Sequence, residues 1–291
     1  MRKMPIAATL LMTAATAQAA EWSLKPLWES PAELKNPESV VYDANHDVLI
    51  VSNVNGKPLD KDGNGFLSLV NMDGTIRKLE WATGLNGPKG LAIVGHLVYV
   101  ADIDTVVAVD TNTGQISSRH VAEGAKFLND AAKDAQGNVY ISDMATNVIW
   151  RVDCCTLTKW LESPGLENPN GLHVKGDRMY EGAWGVMAAD MSTKVPGRVK
   201  VISMKDKSIH DFGGNKPVGN MDGIELLPDG KVLATDWVAG GVMTVSAKGD
   251  VKQLVDLPQG SADLTIIPKK KMIIVPMMMD NKLIAYRLQR R

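Results

Sequence analysis

Short apolar runs separated by turn-forming residues follow one another along most of this chain. One unit recurs about every 45 residues: a turn, an apolar strand, a D-x-x-G-like turn, a second apolar strand with a polar end, and two further strands. The copies begin at NPESVVYDANHDVLIVSN, GPKGLAIVGHLVYVAD, LNDAAKDAQGNVYISD, NPNGLHVKGDRMYEG, MDGIELLPDGKVLATD and ADLTIIPKKKMIIVP. No helical period competes with this pattern.

Six such repeats predict an all-β fold, a six-bladed β-propeller with four-stranded antiparallel blades. The last repeat shows only two clear strands followed by KLIAYRLQ. We therefore expect EWSLKPLWES, residues 21–30, to supply the missing outer strand, close the ring and cover a sheet edge. A closed ring of this kind predicts a single domain over residues 20–291, with no linker.

The first 19 residues have the features of a secretory signal peptide. Arg2 and Lys3 precede a short apolar run, and Ala17-Gln18-Ala19 forms an A-x-A cleavage site. The apolar run is too short to span a bilayer, and no later stretch is long and apolar enough to do so. The sequence therefore predicts an exported protein, in a bacterial periplasm, without a membrane span.

The charge balance gives no electrostatic reason to expect a nucleic acid or an anionic membrane as partner. The 32 Lys and Arg residues, two of them in the predicted signal peptide, nearly balance 33 Asp and Glu residues. The two cysteines, Cys154 and Cys155, are adjacent in sequence. They form either a strained disulfide between neighbours or two free thiols, and neither arrangement is a disulfide framework for a large fold.

The position just before each first strand is polar in every repeat. In our alignment of the repeats these residues are Glu38, Lys89, Asp130, Asn170, Asp222 and Asp263. First strands are the innermost strands of a propeller, so we expect these side chains around one mouth of the central channel. Two inserts, VNGKPLDKDGNG and WGVMAADMSTKVPG, follow second strands and are expected on the same face.

Crowded carboxylates repel one another unless a positive charge lies between them. Lys89 offsets one of these charges, and a bound divalent cation would offset more. Oxygen ligands suit Ca²⁺ best, with Mg²⁺ or Mn²⁺ as alternatives. The ring contains no Cys or His, which argues against zinc.

Four segments resemble one protein family. NDAAKDAQGNVYISDM is similar to a motif of the gluconolactonase, regucalcin and luciferin-regenerating-enzyme family of six-bladed propellers, whose relatives include paraoxonase-like lactonases. PESVVYD, PNGLHV and MDGIELL resemble the other ligand-bearing segments, in the same order and spacing. The resemblance covers the whole predicted mature chain.

The resemblance implies hydrolysis of a lactone or ester at a metal centre. It implies Glu38, Asn170 and Asp222 as metal ligands, Asn129 as a contact of the substrate or of a metal-bound water, and Asp222 as general base. Asp130 or Asp263 could serve as the base instead, because a carboxylate bound to a dication is a weak base. The family's gluconolactonases place an arginine where this chain has Phe127.

The loops after the second strands are expected to form the walls of a substrate pocket. Trp184, Met187, Trp237 and Met277 to Met279 lie there, and such residues favour an apolar substrate unless they only pack between blades. Lys89 and Phe127 are further candidates for substrate binding. Asp102, Asp143 and Asp236 end second strands and are expected to make turn hydrogen bonds.

A second hypothesis stands beside the hydrolase. Propellers often serve only for binding, so this chain could instead bind a small molecule or a partner protein, with the cation as a structural element. Removal of the Asp222 carboxylate separates the two, because the enzyme would lose turnover and the binding protein would lose ligand affinity or thermal stability.

Overall fold

The computed structural model describes residues 21–153, 155–188 and 192–290. The predicted signal peptide (residues 1–19) and Cys154 lie outside the described residues, and Cys155 is exposed. Six four-stranded antiparallel sheets form the blades of a propeller, which confirms the all-β fold predicted from the repeats. The described part of the chain contains no helix that is long and apolar enough to cross a membrane.

The strands follow the repeats in order. Strand β1 spans Trp22–Glu29. Blade 1 consists of β2 (Pro37–Asp43), β3 (Val48–Asn53), β4 (Gly65–Asn71) and β5 (Ile76–Leu85). Blade 2 consists of β6 (Pro88–Val94), β7 (Leu97–Asp102), β8 (Thr105–Asp110) and β9 (Ile116–Val121). Blade 3 consists of β10 (Leu128–Lys133), β11 (Val139–Asp143), β12 (Val148–Asp153) and β13 (Thr156–Glu162).

The second half of the ring carries one additional hairpin. Blade 4 consists of β14 (Pro169–Lys175), β15 (Arg178–Ala183), β18 (Val199–Ser203) and β19 (Ile209–Asp211), with β16 (Gly185–Met187) and β17 (Thr193–Pro196) inserted as a separate hairpin. Blade 5 consists of β20 (Met221–Leu226), β21 (Val232–Asp236), β22 (Val242–Val245) and β23 (Val251–Val255). Blade 6 consists of β24 (Thr265–Ile267), β25 (Met272–Met277), β26 (Lys282–Arg290) and β1. Short 3₁₀ helices span Pro164–Leu166 and Pro268–Lys270.

Strand β1 closes the ring, as the sequence predicts. It pairs antiparallel with β26, with Trp22 opposite Arg290 and Glu29 opposite Ile284. The two ends of the described chain therefore share blade 6, and β26 is paired on both sides. This pairing joins residues far apart in sequence and covers the edge of β26, so that β1 becomes the outer strand of the blade.

The hydrophobic core lies between neighbouring blades. Second strands such as Val48–Asn53 are buried along their whole length, whereas the outermost strand Ile116–Val121 alternates between half-buried and exposed positions. Six apolar clusters result, one at each junction between blades. Each fully buried Leu or Val contributes about 1.5–3 kcal/mol relative to an exposed one, which holds the ring rigid around the channel.

Candidate functional site

A β-bulge lies near the start of the first strand in every blade. In blade 1 the register with β3 shifts between Pro37 and Val40, and the same shift occurs in blades 2 to 5. In blade 6 an isolated bridge between Ser261 and Met277 precedes the shifted pairing of Thr265 with Ile274. A bulge bends the strand locally and changes the direction of its side chains.

The bulges define which residues are equivalent around the ring. The residue after the first paired position is Glu38, Lys89, Asn129, Asn170, Asp222 and Ala262 in blades 1 to 6. The sequence alignment is therefore wrong by one residue in blades 3 and 6, where it placed Asp130 and Asp263 at this position. Asp130 and Asp263 follow the equivalent position by one residue. Their counterparts in the other blades are Ser39, Gly90, Gly171 and Gly223.

Five of these equivalent residues line one pocket at the mouth of the channel, which we call the upper pocket. Its volume is about 240 Å³. We use the name pocket floor for the five polar residues Glu38, Lys89, Asn129, Asn170 and Asp222. The other lining residues, which we call the pocket walls, are Pro58, Phe127, Met144, Trp184, Met187, Trp237 and Met278.

The pocket floor contains four buried oxygen atoms that have no hydrogen-bond partner. They are Glu38 Oε2, Asn129 Oδ1, Asn170 Oδ1 and Asp222 Oδ1, from four different blades. All four residues are at most 5% exposed. Buried polar atoms without partners are rare in folded proteins, and four in one pocket indicate a site for a ligand that carries positive charge or donates hydrogen bonds.

The electrostatics of the floor are those of acids in a poorly hydrated site. Burial raises the pKa of Glu38 well above its usual range, and the charge of Asp222 acts in the same direction. Burial raises the pKa of Asp222 to about 8, although a hydrogen bond from the Asn170 side chain lowers it. A bound divalent cation would favour the ionised form of both carboxyls.

This donor set fits a divalent cation. Two carboxylates and two amide oxygens are the hard ligands that Ca²⁺ accepts, with Mg²⁺ or Mn²⁺ as alternatives. Among the described residues no group of three or more His, Cys, Asp or Glu side chains is placed to hold a metal, so the two asparagines are essential to this set. Glu38, Asn170 and Asp222 are the ligands expected from the sequence, and Asn129 lies beside them.

Lys89 supplies the single cation of the floor. Its ammonium group donates to the carbonyl oxygens of Gly87, at 2.8 Å, and Pro58, at 2.9 Å. It lies 4.9 Å from the centre of the Phe127 ring. An ammonium has three donors, so these two bonds leave one N–H without a backbone acceptor. Burial lowers the pKa of Lys89 to about 8, while the charge of Glu38 favours its protonated form.

Asp130 faces a different space. It lines a lower cavity of about 470 Å³, which is formed by the inner strands and by turns at the other end of the blades. Its two carboxylate oxygens accept the backbone N–H groups of Ala131, at 2.6 Å, and Leu172, at 2.5 Å. Burial raises the pKa of Asp130 to about 7. These bonds give Asp130 a role in joining blades 3 and 4.

The walls come from residues that follow the second strands. Trp184 and Trp237 pack against each other, with ring centroids 6.0 Å apart and planes tilted by 52°. Both inserts contribute, through Pro58 in blade 1 and Met187 in blade 4. Met278 lines the pocket, whereas Met277 is buried in the core and Met279 is 59% exposed.

Sequence reasoning missed two wall residues, Pro58 and Met144. Met144 follows the last residue of β11, just as Trp184, Trp237 and Met278 follow their own second strands. That shared position was the signal that could have identified it. Pro58 lies inside an insert, and no repeat position marks it.

The aspartates that end second strands fix the loops around the pocket. Asp102 accepts the N–H groups of Asn86 and Gly87, and Asp143 accepts those of Lys126 and Phe127. Asp236 accepts the N–H groups of Val238 and Ala239. Asp236 makes the predicted hydrogen bonds to the turn after its strand, whereas these bonds of Asp102 and Asp143 go to the segment that precedes the first strand of the same blade.

The fold and pocket define a six-bladed propeller with a polar-floored site at the channel mouth, and comparison with known proteins gives its family. The profile of the SMP-30/Gluconolactonase/LRE-like region matches residues 36–268. The chain therefore belongs to this family, as the sequence motifs indicate, and the family indicates a lactone hydrolase. No significant match was found among curated protein sequences.

Solved structures share the fold at low sequence identity. A gluconolactonase from Xanthomonas campestris is similar with a TM-score of 0.65 and 15% identity, over 96% of this chain and 94% of that one. A catalytically inactive virginiamycin B lyase from Staphylococcus aureus, solved with quinupristin, is similar with a TM-score of 0.61 and 11% identity, over 92% of this chain and 100% of that one. These similarities establish the fold alone.

Proposed function

We propose that this protein is an exported hydrolase of a lactone or ester that depends on a divalent metal ion, with Ca²⁺ the best fit. The observation that supports this most is the set of four unpartnered oxygens on the pocket floor. Glu38, Asn170 and Asp222 would hold the ion, and Asn129 would face the substrate or a water molecule beside it. When bound, the cation would polarise the substrate carbonyl and stabilise negative charge on its oxygen.

Asp222 is the residue we assign as general base. Its carboxylate takes a proton from the attacking water while the water oxygen forms a bond to the carbonyl carbon. The bond from that carbon to the ring or ester oxygen then breaks, and the departing oxygen receives the proton, which gives a hydroxy acid from a lactone or an acid and an alcohol from an ester. The Asn170 side chain is close enough to Asp222 to lower the pKa of its carboxyl.

Lys89 and Asn129 assist from the other side of the floor. Lys89 lines the pocket, so its positive charge would stabilise the negative charge that develops on the carbonyl oxygen. Asn129 is held by a contact of 3.8 Å from its Nδ2 to the sulfur of Met144, with Oδ1 left free to accept a hydrogen bond. Asp130 remains an alternative base only if the proton can reach it from the upper pocket.

Lactone and aryl-ester hydrolysis by the purified mature protein tests this proposal. We expect turnover with added Ca²⁺ or Mn²⁺, loss of turnover with EDTA, recovery on adding metal back, and loss in Asp222→Ala. If no ester or lactone in a broad panel is hydrolysed, while EDTA still lowers the Tm, the hydrolase proposal is refuted and the metal site is supported. The protein would then be a binding propeller.

The proposed export has its own test. Residues 1–19 carry the features of a signal peptide, so the periplasmic form should begin at Ala20. N-terminal sequencing of protein from the periplasmic fraction measures this directly. An uncleaved N-terminus in the cytoplasmic fraction would contradict export and leave the enzymatic proposal intact.

A further inference from the structure

The upper pocket has a sharp division between a polar floor and apolar walls. All seven wall residues are apolar or aromatic. The indole N–H of Trp184 is turned away from a ligand, because it donates to Thr193 Oγ1 at 2.7 Å. A ligand in this pocket therefore meets carboxyl and amide groups and one ammonium on the floor, and mainly carbon and sulfur atoms on the walls.

The apolar surface continues outside the pocket. The described part of the chain has seven exposed large apolar side chains, and three of them directly follow a wall residue in sequence. We call these three the apolar rim: Leu59 (41% exposed), Val238 (44%) and Met279 (59%). Val186 and Val195 pair with each other in the blade 4 hairpin, on the face opposite Met187, because successive strand residues point to opposite faces. Exposed apolar side chains beside an apolar pocket extend its binding surface.

We propose that the substrate of this site is a lactone or ester whose non-reacting part is an alkyl chain or an aromatic ring. This inference rests on the proposed function for the reacting carbonyl, which the floor would bind. The ring and first carbons of such a substrate fill the cavity of about 240 Å³, and a longer chain extends over the apolar rim.

A polyhydroxylated sugar lactone suits this pocket poorly. Each hydroxyl placed against the walls loses its hydrogen bonds to water, and the only side-chain donor that the walls offer in exchange is the indole N–H of Trp237. Each methylene placed there is favourably removed from water, with an effect on binding of about three- to fourfold. The walls therefore discriminate between two substrates that present the same carbonyl to the floor.

A series of δ-lactones that differ only in the side chain tests this specificity. We compare ethyl to nonyl side chains with glucono-δ-lactone, using the mature protein with Ca²⁺. We expect kcat/KM to rise about three- to fourfold per methylene until the chain passes the rim, and the sugar lactone to be at least about 100-fold poorer than the nonyl lactone. A preference for the sugar lactone, or no dependence on chain length, would overturn the inference.

Matched variants test the rim. Val238→Ser and Leu59→Ser should lower the ratio of kcat/KM for the nonyl lactone to that for the ethyl lactone. Val251 is the control, because it is similarly exposed (48%) but lies in β23, the outermost strand of blade 5. Val251→Ser should leave the ratio unchanged. Equal ratios in all three variants would remove the rim from the proposal.

Binding of δ-lactams separates this inference from the proposed function, because lactams resist hydrolysis. Titration calorimetry with the same series of side chains should give a Kd that falls with each methylene. If no lactone or ester is hydrolysed but the lactams show this trend, hydrolysis is refuted and the apolar ligand class is supported. If lactones are hydrolysed but neither kcat/KM nor lactam affinity depends on the chain, the apolar class is refuted and the hydrolase stands.

Discussion

Asn129 and Asp130 are consecutive residues whose side chains lie in different cavities. Asn129 belongs to the floor of the upper pocket, and Asp130 lines the lower cavity. The bulge between Leu128 and Ala131 allows this. It places both Asn129 and Asp130 opposite the single residue Ser142 of β11, which changes the direction of their side chains. Two adjacent polar residues in one strand therefore have separate roles, one toward a ligand and one toward the neighbouring blade.

Substitutions of these two neighbours should affect different properties: catalytic activity at Asn129 and stability at Asp130. Asn129→Ala should lower kcat/KM about 100-fold, because it removes an oxygen that faces the substrate, with little change in Tm. Asp130→Ala leaves the buried N–H groups of Ala131 and Leu172 without their acceptor. It should lower the free energy of unfolding by about 1–3 kcal/mol and change kcat/KM less than about fivefold.

Lactone kinetics and thermal melts of the two variants make this comparison. Each variant is the control for the other, since the substitutions are one residue apart on the same strand. A stable Asp130→Ala protein without activity would contradict the assignment. In that case Asp130 would be the general base, and Asp222 only a ligand.

Lys89 should weaken the binding of a divalent cation, because its ammonium is close enough to influence both Glu38 and Asp222. Lys89→Met should therefore bind Ca²⁺ roughly tenfold more tightly, the equivalent of about 1.4 kcal/mol, while lactone turnover falls. Its bonds to Gly87 and Pro58 also stabilise the fold, so the quantity to compare is the Tm difference between Ca²⁺ and EDTA. That difference should increase in the variant.

Lys61→Met is the control for charge. Lys61 lies in the blade 1 insert, is 53% exposed and pairs with Asp104 outside the pocket. The substitution Lys61→Met should leave both the affinity for Ca²⁺ and the Tm difference between Ca²⁺ and EDTA unchanged. An equal increase in the two variants would mean that Lys89 acts only through the overall charge of the protein.

The fold could be predicted from the sequence in more detail than the site. The repeats, the strand order and closure by residues 21–30 follow from apolar runs and turns, which are local signals repeated six times. The direction of a side chain at a bulge depends on the pairing with the neighbouring strand, which the local sequence does not reveal. In blade 3 both Asn129 and Asp130 are polar, and in blade 6 Asp263 follows Ala262, so the acidic residue looked equivalent to Glu38 although the register places it one residue further.

A substitution at Gly171 tests how closely the inner strands β14 and β20 approach each other beneath the pocket floor. A Cβ atom at this position would lie 2.1 Å from the backbone oxygen of Asp222. Gly171→Ala should therefore push apart the two strands that carry Asn170 and Asp222. We expect a loss of about 1–3 kcal/mol of unfolding free energy, together with weaker Ca²⁺ binding.

Thermal melts and Ca²⁺ titration measure both effects of this substitution. Gly165→Ala is the control, because a Cβ there meets only side-chain atoms, the nearest being Ser163 Oγ at 3.3 Å. If Gly171→Ala kept the Tm and the Ca²⁺ affinity of the parent protein, the close approach of β14 and β20 would be refuted.

Glu181 should make the stability of the protein depend on pH. It is fully buried in β15 of blade 4, and neither of its oxygens has a hydrogen-bond partner. Lys200 is nearby, but it bonds to Asp211 at 2.7 Å and to Glu167 at 3.1 Å. Burial raises the pKa of Glu181 well above its usual 4.5, and the charges of Glu167 and Asp211 act in the same direction, while Lys200 lowers it.

A carboxyl whose pKa is higher in the folded state stabilises the fold fully only below its unfolded pKa. That contribution is lost as the pH rises from about 4.5 through the raised value. Gln cannot titrate, so Glu181→Gln should melt close to the parent protein near pH 4.5 and several degrees above it near pH 8, since about 1 kcal/mol corresponds to a few degrees. Melts across this range, with the exposed Glu33→Gln as control, measure the difference. A constant difference at every pH would mean that Glu181 keeps one protonation state throughout, and a variant less stable at pH 8 would mean that its ionised form is paired with Lys200.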